Sequence, residues 1–134
     1  MPRDAEERPY TEWLIRARSA MTIARRANFD EVSLEDLCFQ AQQAGEKALK
    51  ALYRATGNGI RYTHDIKDLI IGLRHGIADV PSFLDETVML SRYAVETRYP
   101  YCTEEVTYEE YQQAVKHAEM LLKWVEEEIA RLSF

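Results

Sequence analysis

The stretch Arg98-Tyr99-Pro100-Tyr101 carries the residue types best suited to ligand chemistry in this chain. A guanidinium can pair with phosphate, and the neighbouring tyrosines offer faces on which a base can stack. The three histidines, His64, His75 and His117, are scattered and form no H-E-x-x-H pattern. No phosphate-cradling glycine loop is present either, and Gly57-Asn58-Gly59 reads as a turn. Cys38 and Cys102 lack the spacing of a structural zinc site. They are read as a buried apolar residue and an incidental loop thiol rather than a disulfide. No catalytic residue, metal or cofactor is expected from these patterns.

The elements that must position this stretch are helical. The organising segment is Leu37 to Tyr53, where Ala41, Ala44, Gly45, Ala48 and Leu52 recur on one helical face. Such small residues predict close approach of neighbouring helix backbones, which would offset the roughly 1 kcal/mol cost of Gly45 against alanine. Glu46 and Lys50 form an i,i+4 pair expected on the outer face. Ser33 with Asp36 starts this helix, and Gly57-Asn58-Gly59 stops it.

Before it, Pro9 opens a helix whose apolar stripe is Trp13, Leu14, Ala17, Ala20, Met21, Ala24 and Ala27. After it, Thr63 is the expected N-cap of a short helix bearing Ile66, Leu69, Ile70 and Leu73, closed near Gly76. Pro81 suits the first turn of a fourth helix carrying Phe83, Leu84, Val88, Leu90, Ala94 and Val95. It must yield before Pro100. Thr107 with Glu110 forms a capping box for the last helix, with Val106 and Tyr111 as its staple. Tyr111, Ala114, Val115, Ala118, Leu121, Leu122, Val125, Ile129 and Leu132 hold one face of that helix. No alternating β-branched run occurs. The expectation is an all-α, up-and-down bundle of five helices, three long and two shorter, forming one domain over residues 1–134 with its core at about 10–132.

Three phrases together resemble one family. Phe39-Gln-Ala-Gln-Gln-Ala-Gly-Glu-Lys-Ala-Leu-Lys-Ala51 is similar to the hallmark helix of HEPN (higher-eukaryote and prokaryote nucleotide-binding) domains. Thr63-His64-Asp65-Ile66 with Leu69, and Arg98-Tyr99-Pro100, follow in the family's order. The resemblance implies a HEPN-like bundle of the prokaryotic type paired with minimal nucleotidyltransferases. Active HEPN ribonucleases carry an R-x(4–6)-H motif in which His acts as acid or base and Arg stabilises the charged transition state. Arg98 takes the arginine position, but Thr103, Glu104 and Glu105 stand where the histidine would be. A glutamate ordinarily ionises near pH 4, which makes it a poor acid at neutrality, and its charge repels RNA phosphates.

The resemblance therefore implies a non-catalytic nucleotide- or RNA-binding and interaction module, acting with a small nucleotidyltransferase in a toxin–antitoxin-like pair. The alternative is a metal-independent endoribonuclease toxin with an altered site. The candidate binding residues are Arg98, Tyr99, Tyr101, Lys47, Lys50 and His64, with His64 also expected to cap or brace the third helix. A homodimer is expected, because nine apolar positions on the last helix and several faces of the fourth need more cover than one bundle supplies.

Composition narrows the partners. The 134 residues are 46% hydrophobic and 30% charged, ordinary for a globular chain, with a net charge of −6. That charge argues against a generic nucleic-acid-coating protein. Arg16, Arg18, Arg25 and Arg26 crowd the first helix, and Glu104, Glu105, Glu109, Glu110, Glu126, Glu127 and Glu128 crowd the last quarter, which reads as solvated faces or as a surface for a basic partner. No apolar run would span a bilayer, and the charged start lacks a signal-peptide core, so a cytoplasmic protein is expected.

Overall fold

The computed structural model describes residues 8–26, 32–94 and 105–132. Helix α1 spans Tyr10–Ala24, α2 Leu34–Ala55, α3 Ile66–Arg74 and α4 Tyr108–Arg131, with a 3-10 helix at Ser82–Ala94 between α3 and α4. The described residues contain these five helices and no strand. Helix α2 is central and packs against all four of the others.

The helix ends follow their local chemistry. Ser33 Oγ accepts from Asp36 N at 3.1 Å, and the acidic first turn of α2 complements the helix dipole. At its other end Gly57 adopts φ 79°, and the amides of Gly57 and Asn58 return to the carbonyls of Arg54 and Tyr53. This double return is the Schellman closure that a left-handed glycine permits. Thr107 and Glu110 complete the reciprocal capping box of α4 at 3.1 and 3.0 Å. The N-cap of α3 is Asp65, not Thr63. Asp65 Oδ1 accepts from Lys67 N, while Thr63 Oγ1 sits one step earlier and holds Asp65 N.

The largest departure from the sequence reading is the segment after Pro81. It winds at three residues per turn, so Leu84, Thr87, Leu90 and Tyr93, spaced three apart, all face inward and are buried. Phe83, expected in the core, is 57% exposed, and Met89 is 56% exposed. Val95 and Ala27 lie outside the described residues. On α4, His117 and Trp124 join the buried face, whereas Leu132 leaves it.

Gly45 has a different explanation from the expected backbone contact. A Cβ there would meet the side-chain tips of Leu121 at 3.0 Å and Leu90 at 3.2 Å. The missing side chain thus admits leucines from α4 and the 3-10 helix. Gly72 is tighter, because a Cβ would lie 2.1 Å from the Tyr53 hydroxyl and 2.9 Å from Arg61 Cδ. That hydroxyl is buried and donates to Leu69 O at 2.7 Å. Arg18 of α1 and Arg25 at its C-cap are answered within the chain by glutamates of α4, in exposed pairs with Glu126 and Glu119. Part of the acidic surface expected for a basic partner is thereby neutralised.

Gly72→Ala should destabilise the protein by about 1–3 kcal/mol, since Tyr53 must abandon a buried hydrogen bond. Gly45→Ala should fall nearer neutrality, because leucine tips can shift and the helix gains about 1 kcal/mol of propensity. Urea unfolding of both variants measures the contrast, and an equal loss at both sites would refute it.

Candidate functional site

Lys50 and His64, 14 positions apart in the chain, meet at one side chain, Glu46, and Lys47 joins them through Gln43. Glu46 lies on α2 and is 4% exposed, and Lys50, one turn later, is 6% exposed. The pair is therefore interior rather than on the outer face. Lys50 Nζ donates to Glu46 Oε2 at 2.8 Å, while Gln42 Nε2 donates to Oε1 at 2.8 Å. His64 Nδ1 lies 2.9 Å from the same Oε1. Gln42 also donates to His64 O, which ties the loop before α3 onto α2. The cluster extends outward through Gln43, which donates to Gln42, to Lys47, which donates to Gln43 Oε1 at 2.6 Å.

Burial alone would push the Glu46 carboxyl up. The hydrogen bond and charge of Lys50, with further bonds from Gln42 and His64, outweigh it and hold Glu46 below the ordinary carboxylate range. Lys47 is shifted down by burial, partly offset by the charge of Glu46. Lys50 Nζ also sits 5.9 Å from the Trp13 ring centroid, a cation–π distance. Trp13 Nε1 is itself buried without a hydrogen-bond partner among the described residues.

This geometry divides the candidate residues. Lys50 is committed to Glu46 and supplies no surface charge. Lys47 is half-buried at the rim, and the His64 side chain is 68% exposed. With Glu46 ionised, His64 Nδ1–H donates to it, and the rest of the ring is open to solvent. His64 thus braces its loop against α2 and does not cap α3. Arg98, Tyr99 and Tyr101 lie outside the described residues, as does Cys102. Cys38 is buried, and burial raises its thiol to about 12, which suits an inert core residue. Among the described residues no group of acidic, histidine and cysteine side chains could hold a metal ion.

Gln42 and Glu46 were not singled out as site residues from the sequence. A signal was present: Gln42, Glu46, Leu49 and Tyr53 form an i, i+4, i+7, i+11 stripe, and all four are buried. A cleft of about 510 Å³ beside α4, lined by Arg25, Tyr108, Tyr111 and Lys116 among others, was likewise missed.

Lys50→Met should cost about 3–5 kcal/mol, because Glu46 would keep a buried charge without its partner. The double variant Glu46→Gln/Lys50→Met should recover most of that loss. In the native protein the depressed Glu46 contributes stability in full above its unfolded value near 4.3, and loses it as pH falls through the lower folded value. In Lys50→Met, burial should raise Glu46 instead, so stability should increase toward acid. Urea midpoints between pH 3 and 7 read both signs, and parallel profiles for the two proteins would contradict the assignment.

Comparison with known proteins places this arrangement. No curated protein matches the sequence. Among solved structures, TT1696 from Thermus thermophilus is similar, with 33% identity and a TM-score of 0.74 over 88% of this chain and 96% of that one. ST0689, an archaeal HEPN homologue, is 25% identical with a TM-score of 0.71, covering 91% of this chain and 98% of its own. The family model for the HEPN domain matches residues 10–128. Four helices packed on a polar-centred α2, and a family-model match over residues 10–128, make this chain a member of the HEPN family.

Proposed function

We propose that this chain is a non-catalytic HEPN module that binds a nucleotide or RNA, as a homodimer working with a small nucleotidyltransferase in a toxin–antitoxin-like pair. The observation that carries the reading is family membership combined with Thr103, Glu104 and Glu105 standing where a ribonuclease histidine would follow Arg98. Lys47 and the exposed imidazole of His64 lie near one edge of α2 and supply a cation and a hydrogen-bonding ring, suited to a phosphate and a ribose hydroxyl. The Arg98–Tyr101 segment would add a guanidinium and stacking faces. Exposed Phe83 and Met89 supply apolar surface that a second copy can cover. No helix among the described residues is long and apolar enough to cross a membrane.

One feature favours a second reading, an endoribonuclease with an altered site. Glu46 orients His64 as a carboxylate orients a general base, so the imidazole could accept a proton from a ribose hydroxyl.

Incubation with single-stranded RNA in chelator separates the two. Intact RNA is expected; cleavage abolished by His64→Ala or Arg98→Ala would establish the ribonuclease instead. Titration with nucleoside triphosphates and a short oligoribonucleotide should show saturable binding, weakened about tenfold, or 1.4 kcal/mol, by Arg98→Ala. Light scattering at micromolar concentration should give the dimer mass, and a strictly monomeric mass would remove that part of the proposal.

A further inference from the structure

A second groove, of about 390 Å³, runs between the 3-10 helix and the N-terminal half of α4. It shares no residue with the Glu46 cluster. Met89, Leu90, Tyr93 and Ala114 form its apolar walls, and Glu86, Arg92, Glu109, Glu110, Gln113 and His117 supply its polar groups. The volume falls in the range of small-molecule sites.

The electrostatics of this groove are one-sided. Glu110 is occupied by its capping bond to Thr107 and by Arg92 at 3.6 Å. Glu109 has no ion pair or side-chain hydrogen bond among the described residues, and Glu86 meets only His117, at 3.6 Å. Among the described lining residues, three carboxylates against one guanidinium, with the imidazole neutral, leave a formal charge of −2. A phosphate would be repelled here.

His117 sharpens the requirement. It is 8% exposed, yet makes no side-chain hydrogen bond among the described residues, only the long contact with Glu86. Burial holds its pKa below the usual imidazole value, against the opposing charge of Glu86, so at neutral pH one ring nitrogen offers a lone pair. His117 Nε2 and Glu86 Oε1 stand 3.6 Å apart, beyond hydrogen-bond reach, and a positively charged N–H donor on an apolar stem can bridge carboxylate and imidazole over the apolar wall.

We propose that this groove binds an organic cation, an amine or guanidinium on an alkyl stem, with the head between Glu86 and His117 and the stem along Met89, Leu90 and Ala114. Two sources share that chemistry: a free small cation, and an arginine or lysine side chain presented by a partner protein.

Agmatine serves as the probe for the free cation and an acetylated, amidated Gly-Leu-Arg-Leu peptide as the probe for a presented side chain. Both are titrated into the isotope-labelled protein and followed by amide shifts. Saturable shifts at Glu86, Met89 and His117 are expected, weakened at least fivefold by Glu86→Gln and unchanged by Glu127→Gln on the exposed far part of α4. Hexanamide, a neutral counterpart of agmatine, should give no saturable shift. Tighter binding of the peptide assigns the site to a partner's side chain, and binding of agmatine as tight or tighter assigns it to a free cation. Absence of saturation with both probes, equal binding of hexanamide, or equal loss in both glutamate variants would overturn the proposal. None of these outcomes depends on whether the Arg98 segment binds nucleotide.

Discussion

A carboxylate buried at the middle of the central helix sets the main constraint on this bundle. An unpaired charge there would cost several kcal/mol, comparable with a large part of a domain's net stability. Lys50 answers the charge at Oε2, Gln42 and His64 both bond Oε1, and Trp13 covers the ammonium from α1. Each partner fixes something larger than itself. The bond from Gln42 to His64 O holds the loop between α2 and α3, and that loop delivers Asp65 to cap α3. The polar centre thereby links three elements that apolar packing alone would allow to slide.

The 3-10 helix is the second determinant of shape. Its threefold period lets four buried residues form a straight inner ridge, with Leu90 reaching the space that Gly45 leaves open. The rise of about 2.0 Å per residue stretches the segment beyond the length of an α-helix with the same residues. Its outer surface carries Phe83 and Met89, and its edge toward α4 leaves the acidic groove. Helical winding in this segment therefore governs both the core and the surface offered to partners.

Charge is arranged in opposition across the molecule. Arg18 of α1 and Arg25 at its C-cap meet glutamates of α4 in exposed pairs, each worth about 0.2–1 kcal/mol and of more use for register than for stability. The edge of α2 offers Lys47 and His64, while the groove beside the 3-10 helix carries carboxylates.

Local chemistry was legible in the sequence wherever it acts over one or two helical turns. The caps at Ser33 and Thr107, the stop at Gly57, the stripes of α1 and α4, and the all-α class required only neighbouring residues, because capping bonds and helical periodicity are short-range. The resemblance of three phrases also led to the HEPN family. What needed the tertiary structure was each choice settled by a distant partner. An i,i+4 Glu–Lys pair reads as a surface feature until His64 and Trp13 are seen to close over it. Leu84, Thr87, Leu90 and Tyr93 fit no α-helical stripe, and only their common burial against α2 and α4 shows that the chain there winds in threes. Gly45 announced a close approach, but the approaching groups were leucines from two other helices. A sequence records which side chains are available, whereas long-range packing decides which of them lose their water, and that loss fixes whether a charge serves the core or a ligand.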